Sequence, residues 1–138
     1  MIVVDTNIIG YLYLASERST QAEQALQKDP RWAAPRLWSS ELRSVLALYI
    51  RKRLLSLEDA RQIMDKATNL MQDQEVASPE VLKLVTESTC SAYDCEFVAL
   101  ARDLAVPLVT VDKQILNQFP AIAISLEAFV TTESQRGG

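Results

Sequence analysis

Two short apolar runs, Ile2-Val3-Val4 and Leu108-Val109-Thr110-Val111, each lead directly into an aspartate, Asp5 and Asp112. Runs rich in β-branched residues, without polar alternation, read as strands buried on both faces, the kind from which parallel sheets are built. Around them the period turns helical. A helix is expected after Asn7, through Leu12 and Leu14. Thr20 and Glu23 are spaced as a capping box opening a helix to about 28. A long amphipathic helix is predicted over 36–54, with Leu37, Val45 and Leu48 on one stripe, widened by Trp38, Leu42, Leu46 and Tyr49. Ser56 and Asp59 cap a helix to about 71, Pro79 suits a first helical turn, Ser91 caps a helix to about 104, and a short helix follows at 113–119. Further strands are predicted at 31–34, 75–78 and 121–125, and a last short helix after Leu126. Strands alternating with helices imply an α/β fold, a three-layer sandwich with a mainly parallel central sheet flanked by helices. With no internal repeat or linker, one domain is expected over 1–134, with a frayed tail at 135–138.

In open parallel sheets, ligands sit beyond the carboxyl ends of the strands. Parallel strands ending at Asp5 and Asp112 bring both carboxylates to one edge, a costly pairing unless a cation or proton lies between them. Two further acids stand on helical stripes that otherwise read as core-facing. Glu41 is in line with Leu37, Val45 and Leu48, and Asp94 shares a face with Val98, Ala101 and Ala105. Neither stripe offers a lysine or arginine partner, and a buried charge must be paired, protonated or metal-bound. Each acid also has a plainer role open to it. Asp5 and Asp112 can cap the helices after them, Asp94 can close a capping box with Ser91, and Glu41 can complement a helix dipole. Taken together, the four point to one sheet edge.

Composition narrows the chemistry. The 138 residues contain no histidine, which excludes Ser-His and Cys-His triads, histidine-ligated zinc and imidazole-based nucleases. Two cysteines, Cys90 and Cys95, are too few for a zinc site and read as buried reduced thiols pointing to different sides of a helical segment. The net charge of −4 argues against a broad basic surface for duplex binding. No apolar stretch approaches the roughly 20 residues of a membrane span, and the expectation is a soluble, cytoplasmic protein with no membrane partner. An oxygen-only donor set suits Mg²⁺ or Mn²⁺ better than Zn²⁺. On that reading Asp5 and Asp94 ligate one cation directly, with Glu41 and Asp112 acting through water or holding a second one. Thr6 and Asn7 are placed to orient Asp5, and Thr110 to orient Asp112, though all three also suit cap or turn roles. Arg43 and Lys113 stand close enough in sequence to offer phosphate contacts. Arg51-Lys52-Arg53 reads as dipole complementation and Trp32 and Trp38 as core, with phosphate contact and base stacking as the respective alternatives.

The four acids and their neighbours resemble those of the PIN-domain nucleases, especially the VapC-type toxins. Asp5-Thr6-Asn7 is similar to that family's opening motif, and Ser40-Glu41-Leu42 falls where it places a helical glutamate. The segment from Tyr93-Asp94 to Ala101 is similar to its third motif, and Thr110-Val111-Asp112 to its strand-end Thr-x-Asp. The resemblance covers nearly the whole chain. It implies a metal-dependent endoribonuclease leaving a 5′-phosphate and a 3′-hydroxyl, a toxin role with a small antitoxin partner, and a homodimer, for which residues 36–71 offer apolar surface. The chain departs from the pattern at Gln114 and Ile115, where many relatives carry a further acid or polar ligand, and this bears on a second metal rather than the first.

Two other classes fit parts of the pattern. A catalytically inactive PIN-like module would bind RNA or protein without cutting. A phosphoacceptor domain of receiver type also gathers acids at strand ends, but it needs an acidic pair at the first strand, which Asp5-Thr6-Asn7 lacks, and a lysine better placed than Lys113.

Overall fold

The computed structural model describes residues 1–132; the expected domain end at 134 and the tail at 135–138 fall outside the described residues. Five parallel strands form one sheet in the order β3-β2-β1-β4-β5. In chain order they are β1 (Ile2–Val4), β2 (Trp32–Pro35), β3 (Gln72–Gln74), β4 (Leu108–Thr110) and β5 (Ala123–Ser125). Helices α1 (Thr6–Tyr13) and α2 (Ser19–Lys28) join β1 to β2, and α3 (Leu37–Arg51) and α4 (Leu57–Leu70) join β2 to β3. Helices α5 (Ser78–Thr86) and α6 (Ala92–Leu104) return from β3 to β4, α7 (Lys113–Gln118) leads to β5, and α8 (Leu126–Thr131) follows it.

The first two crossovers step one way across the sheet and the next two step the other way. Right-handed crossovers therefore place α1–α4 against one face and α5–α7 against the other. Accordingly α1 packs on α2 and α3, α3 on α4, and α5 on α6, while α6 lies against β1, β2 and β4. This is the three-layer α/β sandwich expected, with a sheet parallel throughout. The chain's direction of travel reverses between β1 and β4, the switch point at which doubly wound sheets open a crevice. Asp5 and Asp112 follow these two strands.

The strands β1, β2 and β4 are wholly buried. Trp32 and Trp38 are core residues, with indole N–H groups donating to the Asp29 carbonyl (2.9 Å) and to Asp73 Oδ1 (2.5 Å). That leaves neither ring free for stacking on RNA. Ser56 and Ser91 cap α4 and α6 as expected, accepting from the Asp59 and Asp94 N–H groups at 3.0 Å each.

Three local expectations are corrected. The capping box at Thr20 does not form. Helix α2 starts at Ser19, whose hydroxyl accepts from Ser16 N–H and donates to the Leu14 carbonyl, so the preceding turn sets the start. The strand expected at 75–78 lies instead at Gln72–Gln74, a polar edge strand formed by pairing with β2, whereas Ser78 already opens α5. On α3 the buried stripe is Trp38, Leu42 and Leu46. The Leu37–Val45 line is half-buried and Leu48 is exposed, so Glu41 sits on the margin of the core and not inside it.

Candidate active site

Strand register brings the first two groups together. Val3 pairs with Leu108 and Val4 with Val109, which sets Asp5 beside Thr110, and Asp5 N–H donates to the Val109 carbonyl at 3.1 Å. The buried Thr110 hydroxyl donates to Asp5 Oδ2 at 2.9 Å and accepts the Asp112 N–H at 3.0 Å. One threonine thus links both strand-end acids. It orients the Asp5 carboxylate and the Asp112 backbone, where the sequence suggested Asp112 alone. Thr6, also buried, donates to Glu41 Oε1 at 2.7 Å and so positions the α3 glutamate across the crevice, where the sequence suggested Asp5.

The plainer roles divide. Asp5 occupies the N-cap position of α1, yet its side chain makes no capping hydrogen bond. Asp112 does cap α7, with Oδ1 accepting from Ile115 N–H at 3.0 Å. Asp94 stands in the first turn of α6 in a capping arrangement with Ser91, which accounts for part of its hydrogen bonding. Glu41 accepts from Thr6, five residues into α3 and beyond its first turn.

The electrostatics are those of like charges gathered without a counter-charge. Burial raises the Asp5 carboxyl from its ordinary 3.8 to about 6; the Thr110 hydrogen bond opposes the rise, and the charges of Glu41 and Asp94 add to it. Burial, and then the charge of Asp112, also raises Asp94. Among the described residues no lysine or arginine forms an ion pair with any of the four acids. Arg43 is exposed and donates to Ser40 Oγ at 3.0 Å, and Lys113 is exposed at the first turn of α7, so neither is engaged with the carboxylates. Asn7 is exposed at the mouth, one helical step from Thr6.

Sequence reasoning passed over one acid. Glu96 is half-buried, and burial followed by the charge of Glu41 raises its carboxyl. The signal was its place two residues after Asp94, but two steps along a helix point to different faces, and only the tertiary fold brings Glu96 within reach of the Glu41 charge.

Oxygen donors alone, none neutralised by a cation, fit a hard divalent ion. Among the described residues no three of these groups converge tightly enough to ligate one ion together. A site of one or two carboxylates completed by waters is one that Mg²⁺ accepts.

The family model described as PIN domain matches residues 2–121. The chain belongs to the PIN domain family. A relative, Ribonuclease VapC3 of Pyrobaculum aerophilum, is 32% identical over 126 residues, covering 88% of this chain and 96% of the relative. The fold is also that of PAE2754 from Pyrobaculum aerophilum, whose crystal structure superposes with a TM-score of 0.75 at 18% identity over 94% of this chain and 85% of that one. A toxin–antitoxin complex from Klebsiella pneumoniae gives 0.68 at 18% identity, covering 91% of this chain and 98% of its counterpart. VapBC2 from Rickettsia felis bound to a promoter DNA fragment gives 0.65 at 17% identity with the same coverage, 91% and 98%. In this PIN domain both cysteines are buried and free, and the Ser88 hydroxyl lies between them, 3.8 Å from Cys95 Sγ and accepting Cys90 N–H at 3.3 Å. They share one polar contact rather than facing apart, and burial raises both thiols. No helix among the described residues is long and apolar enough to cross a membrane.

Proposed function

We propose that this PIN domain is an Mg²⁺- or Mn²⁺-dependent endoribonuclease that hydrolyses RNA phosphodiester bonds at Asp5, Glu41, Asp94 and Asp112, and that it is the toxin of a type II toxin–antitoxin pair. The observation that carries the reading is Asp5. Its carboxylate is enclosed at the switch-point crevice, caps no helix, meets no cation and faces two further acids, at a pKa raised to about 6. A fold does not retain such a group for stability, because each neighbouring charge makes its ionisation costlier.

Asp5 and Asp94 would hold the ion directly, and Glu41 and Asp112 would act through water. Bound there, the ion supplies Lewis-acid activation of water and offsets charge on the phosphate. The protein's own part is positioning. The Thr110 hydroxyl and the Thr6 backbone hold the Asp5 carboxylate, the Thr6 hydroxyl holds Glu41 by Oε1, and α7 takes Oδ1 of Asp112. Asn7 is exposed beside Thr6, and the exposed Arg43 and Lys113 are the candidates for phosphate contacts. The relative named a ribonuclease and the toxin–antitoxin neighbours support a small antitoxin as partner. The apolar surface of α3 and α4, with Leu48, Leu54 and Leu57 exposed, supports a homodimer.

The test is cleavage of total RNA by purified protein in Mg²⁺, Mn²⁺ and EDTA beside Asp94→Asn. Cleavage by the wild type alone, abolished by EDTA, is the expected result. Equal cleavage by both proteins, or none by antitoxin-free wild type in either metal, refutes it; binding without cleavage leaves the inactive-module reading.

A further inference from the structure

Beside the carboxylates, between α1 and α3, lies a cavity of about 170 Å³. Asn7, Gly10 and Tyr11 come to it from one face of α1, at helical spacings of three and four, and Leu42, Val45 and Tyr49 from the facing stripe of α3. Two such stripes would normally interdigitate, and the gap is left by Gly10. A Cβ built there meets nothing within 4 Å. Glycine is poorer than alanine in a helix interior, so the open space comes at a stability cost that packing does not explain.

We propose that this cavity seats one nucleobase of the RNA strand next to the scissile phosphate. The inference rests on the ribonuclease reading above and adds how the substrate is held. Thr6 lines the cavity and its hydroxyl binds Glu41, so a single side chain separates the cavity from the nearest of the four carboxylates, close enough for a base tethered to the reacting phosphate by its own sugar. The lining is mostly apolar, with two tyrosines and the Asn7 amide as polar handles, the usual make-up of a small-ligand pocket. Single-stranded RNA is read by splaying bases onto aromatic rings. At the rim, Arg18 lies over the Tyr11 ring, 5.6 Å from its centroid, and donates to the Tyr11 hydroxyl at 3.1 Å. Among the described residues it forms no ion pair, which leaves its remaining donors for a phosphate. A protein cavity of about 150 Å³ accepts benzene. Room for a single ring favours a pyrimidine over a purine.

The experiment uses the full chain and a single-stranded RNA with a mapped cut, carrying a pyrimidine, a purine or an abasic residue at each position flanking it. For the wild type, kcat/KM falls roughly 5- to 150-fold when one flanking position becomes abasic, the worth of one stacked base, and a pyrimidine there outperforms a purine. Gly10→Leu fills the cavity and erases the difference between intact and abasic strands. Gly10→Ala, whose methyl enters open space, narrows that difference and carries the test if the leucine variant does not fold. Base dependence that is absent, or that survives Gly10→Leu, overturns the proposal. So does a Gly10→Leu protein that keeps its base dependence but no longer retains a co-expressed small protein, which makes the cavity a peptide seat. Wild type that cuts no strand in Mg²⁺ or Mn²⁺ fails the ribonuclease reading itself and takes this inference with it; cleavage indifferent to the flanking base fails the inference alone.

Discussion

Replacing Asp5 by asparagine stabilises the metal-free protein at neutral pH, although it removes a strand-end residue with a native hydrogen bond. In the fold the carboxyl ionises at about 6 instead of 3.8. At about 1.4 kcal/mol per pKa unit, that rise corresponds to roughly 3 kcal/mol. The sign follows from which form the fold prefers. A raised carboxyl binds its proton more tightly folded than unfolded, so its contribution to stability is fully present below pH 4 and is lost as pH rises through 6. The Asp5→Asn variant has no such loss, and its amide carbonyl can still accept from the Thr110 hydroxyl now 2.9 Å from Asp5 Oδ2. Urea unfolding in EDTA should therefore give equal stabilities at pH 4 and an advantage of about 2–3 kcal/mol for the variant at pH 8, on the order of 10 °C in Tm. Saturating Mg²⁺ should raise the wild type by mass action and the variant much less. A variant less stable than wild type at pH 8, with a gap that does not change down to pH 4, would refute the reasoning and make Asp5 an ordinary structural acceptor.

Thr110→Val removes the hydroxyl that touches both strand-end acids while keeping the side chain's shape; RNA cleavage should fall about 10- to 100-fold, as for other groups that orient metal-binding carboxylates, and the pH at which activity appears should rise because Asp5 loses a hydrogen bond that lowers its pKa. Leu100→Ala, in the fully buried stripe of α6, should cost about 2–5 kcal/mol by chemical denaturation; a loss under 1 kcal/mol would mean that the α6 face of the sandwich is not a packed core.

The outline of the site was legible because its first two members are encoded locally. A buried strand advertises itself by β-branched residues, and an acid ending each of two such runs needs only parallel pairing to reach the same edge. Ser56 and Ser91 were equally readable, since a cap is settled within four residues. Glu41 and Asp94 were found through their helical stripes, though α3 turns a neighbouring stripe inward and leaves Glu41 at the margin. Hidden from the sequence was everything that depends on the approach of distant segments. β3 carries no apolar signal, because Gln72-Asp73-Gln74 becomes a strand only by pairing with β2. Glu96 reads as a solvated helix residue until the fold half-buries it within reach of the Glu41 charge.

The class of fold, the order of its elements and an oxygen-only chemistry without histidine are all written along the chain, since period, composition and strand ends are properties of neighbouring residues. Which hydroxyl serves which acid is written only in three dimensions. Thr110 reaches back 105 residues to Asp5, and Thr6 crosses 35 residues to Glu41. Packing likewise leaves Asp5 without a side-chain cap or a counter-charge, and lets Gly10 open a cavity lined by the neighbouring Thr6. Those outcomes rest on strand register and on how two helices meet, and both are set by the burial of the whole core rather than by any stretch of it.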